Sequence, residues 1–209
     1  MSEDLGFVHR FEPGEDSGVT LLLLHGTGGD ENDLMPLGRE LASGAALLSP
    51  RGKVLEHGAP RFFRRLAEGI FDHEDLLRRT HELAGFIEAA TKQYDLDSSR
   101  LIAAGYSNGA NIAASLTLLH PGLLRAAVLF RAMVPFEPEA TPDLAGMPVF
   151  IAAGRRDQMI QPSNTERLAE ILGEAGANVN LRWRNTGHGL TYEEVTEAQE
   201  WLTEVLPTL

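Results

Sequence analysis

Three residues of this chain have the types and spacing to make a serine hydroxyl reactive: Ser107, Asp157 and His188. A serine hydroxyl is a poor nucleophile at neutral pH. It needs an imidazole to take its proton, and the imidazole needs a carboxylate to fix its tautomer and stabilise its cation. Ser107 sits in Gly105-Tyr106-Ser107-Asn108-Gly109, reached by an apolar run and followed at once by a small-residue amphipathic helix pattern. That context predicts a strained strand-to-helix turn that pushes one hydroxyl out at the end of a central strand. Glycines two residues either side leave room for the strand and helix to approach. Asp157 follows the apolar run 148–153 through Gly154-Arg155-Arg156. Glu137 and Glu139, in the loop after the preceding strand, are its rivals; Asp143 follows no strand and is weaker. His188 lies in Asn185-Thr186-Gly187-His188-Gly189, a flexible-looking loop from which a ring could swing over Ser107. Nucleophile, acid and base come in the chain order that one class of α/β sheet enzymes uses.

An attacked carbonyl develops negative charge, which needs two donors aimed at one point. The backbone N–H of Asn108 qualifies, being next to the serine and at a helix N-terminus. Thr27, in His25-Gly26-Thr27-Gly28-Gly29, is the best-placed second donor, because glycines on both sides tolerate the backbone angles that expose amides. His25 braces that loop in this reading. The glycines also invite a phosphate-loop interpretation, but neither Gly-x-x-x-x-Gly-Lys-Ser/Thr nor Gly-x-Gly-x-x-Gly is present. Nucleotide binding is set aside on that ground.

The elements that must position these groups follow from periodicity. Residues 20–24 hold four consecutive leucines, a strand buried on both faces. Further strands are expected at 45–49, 101–106, 126–130, 148–153 and 179–183, with a weak edge strand at 7–11. Helices are expected at about 33–42, 74–94, 108–120, 164–173 and 191–206. Residues 53–72 have poor periodicity and are expected to be an irregular excursion near the site. Strands alternating with helices of this length mean a mostly parallel sheet covered on both faces, with ligands beyond the strands' carboxyl ends. The aromatic Phe63, in the excursion, and Met133, in the proline-rich loop 133–138, are expected to be walls of an acyl or aryl pocket. Arg64 is a candidate substrate contact, though it and Arg51 could equally pair with surface carboxylates.

Composition excludes several classes. At 209 residues one domain is expected, spanning residues 1–209. Hydrophobic residues make up 43% and charged residues 23%, as in ordinary globular chains. A net charge of -12 argues against nucleic acid or an anionic membrane as partner. There is no cysteine, so thiolate chemistry is out, and the seven histidines form no metal-ligand motif. No metal or cofactor is expected. The acidic Met1-Ser2-Glu3-Asp4 leads into no long apolar segment, so a cytoplasmic location without membrane insertion is expected.

On Leu24-His25-Gly26-Thr27-Gly28-Gly29-Asp30, Ser49-Pro50-Arg51-Gly52, Arg61-Phe62-Phe63-Arg64-Arg65, Gly105-Tyr106-Ser107-Asn108-Gly109-Ala110-Asn111 and Gly187-His188-Gly189-Leu190, nearly the whole chain resembles one family. It is that of α/β-hydrolases of the phospholipase/carboxylesterase group, which includes acyl-protein thioesterases, with the strongest likeness to bacterial hydrolases of the MhqD type. The resemblance implies a three-layer α/β/α sandwich without a large lid. It also implies esterase chemistry with Ser107 as nucleophile, Asp157 as acid, His188 as base and oxyanion donors at Thr27 and Asn108. Homodimers are common among such relatives, and nothing in the residues locates an interface. The chain departs from the protein thioesterases at Asn108, where they carry glutamine, and at Thr27, where they carry leucine. These departures turn the expectation towards small or medium esters. Thioesterase or lysophospholipase activity, and action on aromatic or quinone-derived compounds, are the alternatives within enzymes. A binding protein on a hydrolase scaffold is the alternative outside them.

Overall fold

The computed structural model describes residues 5–15 and 18–208. The acidic start at residues 1–4 lies outside them, as do residues 16 and 17 of the turn-rich segment 6–18. In chain order the elements are β1 (His9–Glu12), β2 (Thr20–Leu24), α1 (Met35–Leu41), β3 (Ala46–Pro50), β4 (Val54–Glu56) and β5 (Ala59–Arg61). They continue with β6 (Arg65–Ala67), β7 (Ile70–Phe71), α2 (His73–Gln93), β8 (Leu101–Tyr106), α3 (Asn108–Leu119) and β9 (Ala126–Phe130). The chain closes with β10 (Pro148–Gly154), α4 (Pro162–Glu174), β11 (Asn178–Arg184) and α5 (Tyr192–Val205).

Seven strands form the central sheet in the order β1-β3-β2-β8-β9-β10-β11. Only β1 runs antiparallel, pairing with β3 at one edge; the other neighbours are parallel. The leucines of β2 point alternately into two cores, as the strand period of two requires. Leu22 and Leu24 pack with residues of α2, α3 and α4, whereas Leu21 and Leu23 pack with residues of α1 and α5. Two apolar layers, one on each face of a parallel sheet, make this an α/β-hydrolase-type sandwich. Among the described residues no helix is long and apolar enough to cross a membrane.

Two of the helices, α2 and α5, start where side chains satisfy their orphan amides. Asp72 caps α2 by accepting from the Asp75 N–H, and Thr191 and Glu194 form a capping box at α5. Helix α3 differs from the amphipathic expectation, because its residues 108–118 are all buried. The physical reason is α2, which covers its outer side; Thr80 and Ser115 share a hydrogen bond of 2.7 Å between the two helices.

Residues 53–72 also differ from expectation. They form two small hairpins, β4 with β5 and β6 with β7. Backbone donors tie them down. The Gly52 N–H reaches His25 Nε2 at 2.9 Å, the Phe62 N–H reaches Asn108 Oδ1 at 2.7 Å, and the Arg64 N–H reaches Asp75 Oδ2 at 2.7 Å. Strands this short have little stability alone, so tertiary bonds order them where periodicity cannot.

Candidate active site

Strand β8 delivers Ser107 onto the first position before α3 with φ 53° and ψ -115°. The left-handed backbone is costly for a residue with a side chain and is held by its surroundings. The Ser107 N–H donates to the Phe130 carbonyl at 2.8 Å, and the Asn111 N–H donates to the Ser107 carbonyl at 3.0 Å. Flanking glycines make the turn sterically feasible. A Cβ on Gly105 would lie 2.6 Å from the Gly109 carbonyl oxygen, and one on Gly109 only 1.9 Å from that of Leu24.

The Ser107 hydroxyl donates to His188 Nε2 at 3.0 Å, and His188 Nδ1–H donates to Asp157 Oδ2 at 2.8 Å. The other carboxylate oxygen of Asp157 accepts the Met159 and Ile160 N–H groups at 2.8 and 3.2 Å. Asp157 is 8% exposed, so its orientation is fixed from both sides. The rival carboxylates are elsewhere. Glu137 pairs with Arg167 on the surface, Glu139 is exposed, and Asp143 accepts from the Ala145 N–H.

A cleft of about 410 Å³, including its open mouth, lies over Ser107. Thr27, Asn108, Met133 and His188 line it together with Phe71, Met159 and Ile160. Cleft-lining Arg61 and Arg65 share the carboxylate of Glu56 at 2.9 and 2.8 Å. Asn108 holds the first helical position, where a backbone N–H has no intrahelical acceptor. Thr27 is exposed between Gly26 and Gly28, whose N–H is taken up by the Pro60 carbonyl.

Two expected contacts are not brought to the cleft. Phe63 is fully buried and meets Phe71 edge-on with ring centroids 5.0 Å apart, so Phe71 forms the wall and Phe63 backs it. Arg64 points to solvent with its side chain 61% exposed, paired with Asp72 at 2.9 Å; the acidic start of α2 draws it there. Arg51 is likewise taken by Glu31. Arg155 lies over the Trp183 ring at 4.9 Å, and Arg156 donates to the Asn185 carbonyl, so neither enters the cleft lining.

Sequence reasoning misses two groups that organise the site. Tyr106, the residue before the serine in the pentapeptide, donates its hydroxyl to the His188 carbonyl at 3.1 Å. Arg131, one residue past β9, is 1% exposed and faces the segment carrying His188. The signal for Arg131 was its place at a strand end; its partner lies 63 positions on and has no local signature. The His188 loop is therefore pinned, not loose as its glycines suggest.

His25 sits behind the Thr27 loop, fully buried, with Nδ1–H donating to the Gly26 carbonyl at 2.7 Å and Nε2 accepting from Gly52. Both nitrogens are used by the neutral ring. Burial holds its pKa below the ordinary 6.5, against the raising effects of the Gly26 carbonyl and of Asp33. Below pH 6.5 the unfolded chain therefore binds a proton that the folded one refuses, and stability falls as pH falls. We expect denaturation midpoints measured between pH 7 and 5 to decline less steeply in His25→Gln than in the wild type. Identical slopes would mean that this ring is not a source of the acid sensitivity.

Comparison with known proteins fits this geometry. Residues 59–202 match the family model described as the Dienelactone hydrolase family. The chain is 48% identical over 198 residues to MhqD of Bacillus subtilis (strain 168), a protein designated a hydrolase, covering 95% of this chain and 98% of that protein. Among solved structures, the Bacillus cereus carboxylesterase is 51% identical with a TM-score of 0.93, over 95% of this chain and 94% of that one. A carboxylesterase from Mesorhizobium loti is 36% identical with a TM-score of 0.91, over 96% of both chains. The chain belongs to the dienelactone hydrolase family of α/β-hydrolases, and by that kinship it is a hydrolase of the carboxylesterase kind.

Proposed function

We propose that the protein is a serine carboxylesterase acting on small or medium esters, as one catalytic domain. The observation that carries this is the continuous hydrogen-bonded line from Ser107 through His188 to Asp157 at the mouth of a cleft. His188 Nε2 takes the hydroxyl proton as Ser107 Oγ attacks the ester carbonyl carbon. The N–H groups of Thr27 and Asn108 hold the oxyanion, and Asp157 stabilises the imidazolium. The imidazolium then protonates the leaving alcohol, leaving an acyl-serine. Water enters by the same route, its proton goes to His188, and the acid departs as Ser107 regains its own.

Met133, Phe71, Ile160 and Met159 supply the apolar part of the cleft, and its modest volume favours short acyl groups. A fluorophosphonate should label Ser107 rapidly in the wild type, as judged by mass spectrometry of the modified peptide. A binding protein on the same scaffold would label slowly or not at all. With p-nitrophenyl esters, kcat/KM should not rise from butyrate to palmitate, since methylenes left in water add no binding energy. A preference for palmitate, or for a matched thioester, would redirect the assignment to the lipid or thioester class.

A further inference from the structure

Arg131 is bonded to the strand before Asp157 and to the loop of His188, it follows the residue that accepts the Ser107 N–H, and the proposed serine mechanism does not use it. Its φ is 57°, so the chain turns sharply where β9 ends, next to the Ser107 turn. The neighbouring Phe130 carbonyl accepts the Ser107 N–H, while the Arg131 N–H donates to the Ala152 carbonyl of β10, the strand that leads to Asp157. Its guanidinium then reaches the His188 loop. Nε donates to the Gly187 carbonyl at 3.1 Å; Nη2 donates to the Gly189 carbonyl at 2.8 Å and to Thr186 Oγ1 at 3.2 Å. The two carbonyls bracket His188 on either side.

The remaining contacts fix the guanidinium itself. Nη1 and Nη2 donate to the two carboxylate oxygens of Glu194 at 2.7 and 2.8 Å, and Nη1 also reaches the Ala152 carbonyl at 3.2 Å. Glu194 Oε2 in addition accepts the Thr191 N–H and hydroxyl at 2.9 and 3.1 Å. Both side chains are fully buried. A buried ion pair of this kind is a poor source of net stability, since an apolar pair often serves as well or better. What an apolar pair cannot do is bind two carbonyls at fixed positions either side of one histidine. The planar fork of arginine does so in a single geometry.

We infer that Arg131, clamped by Glu194, is a positioning residue that sets the His188 ring over Ser107 by holding the 186–189 backbone. This rests on the serine mechanism proposed above, and its effect is on the chemical step. Arg131 backs the cleft, but its guanidinium is fully buried and its donors are taken by protein acceptors, so the expected loss is in kcat with KM spared. Lysine at 131 keeps the charge against Glu194 but offers one compact ammonium, which cannot serve Gly187, Gly189 and Glu194 together.

The test compares wild type, Arg131→Lys, the double variant Arg131→Met with Glu194→Gln, and Ser107→Ala on p-nitrophenyl butyrate. Loss of kcat of about tenfold in Arg131→Lys and about thirtyfold in the double variant is expected, with KM within threefold of wild type. The downfield proton resonance of His188 Nδ1–H should broaden or vanish in both variants, which a purely stabilising role would not produce. Wild-type kcat and an unchanged resonance in a folded double variant would overturn the inference. So would full activity in Arg131→Lys, which would reduce the role to charge; that variant decides the matter should the double variant not fold. An active Ser107→Ala would instead remove the serine mechanism itself, and the two failures are thereby distinct.

Discussion

Ser107→Ala is expected to lower kcat for p-nitrophenyl butyrate on the order of 10⁵-fold, with the far-ultraviolet spectrum and melting temperature little changed. The size follows from what the hydroxyl does. It is the bond-forming atom and the hydroxyl bonded to His188 Nε2; the other hydroxyl lining the cleft, on Thr27, has no such bond to the imidazole, and the chain has no cysteine. The stability cost is small because Ser107 is half-buried and the change removes one side-chain hydrogen bond, worth about 1 kcal/mol. His188→Ala should cost a similar factor, and the two losses should not multiply, since a triad acts as a unit. Activity above a few per cent in Ser107→Ala would end the serine assignment.

The second large effect is on the fold. Gly109→Ala places a methyl group 1.9 Å from the Leu24 carbonyl oxygen and 2.6 Å from that of His25. Both are backbone atoms of the central sheet and its adjoining loop, and neither can rotate aside. Helix α3 would have to move off β2, taking Ser107 and the Asn108 amide with it. We expect a loss of about 4 kcal/mol or more in denaturant unfolding, enough to leave little folded protein. Gly85→Ala is the contrast. That glycine is exposed in α2, with nothing within 4 Å of the added carbon. It should gain about 0.5–1 kcal/mol from helix propensity alone. Equal stabilities for the two variants would refute the steric account.

Much of the architecture was legible in the residues. The strands of the central sheet and the five α-helices lie within two residues of the positions that periodicity gives, because their apolar faces are clear. The short strands β4 to β7 were not foreseen. The turn at Ser107 was legible because strand, glycines and helix pattern coincide there. The relation to the dienelactone hydrolase family and its carboxylesterases agrees with the likeness carried by the motifs. What was not legible depends on partners distant in the chain. Phe63 and Arg64 were expected at the cleft because they are conspicuous side chains in an irregular stretch. Their placement is decided by Phe71, by Asp72 and by Asp75, through contacts that leave no periodic trace. Arg131 is the sharper case. Its environment is assembled from β10, the 186–189 loop and α5, and the Thr191–Glu194 capping box reads locally as a helix start and nothing more.

The hairpin segment between Gly52 and Phe71 donates main-chain amides to His25 in the loop after β2, to Asn108 of α3 and to Asp75 of α2. Side chains of that segment contribute Arg61, Arg65, Glu68 and Phe71 to the cleft without supporting Ser107, His188 or Asp157. Attachment rests on those amides and on the buried Phe62, Phe63 and Phe71, whereas Arg65 and Glu68 face the cleft from outside the core. A library randomised at the cleft-facing positions 65 and 68 should retune which esters are accepted while the reactive serine stays where the sheet puts it. In an engineering sense this scaffold has a replaceable wall.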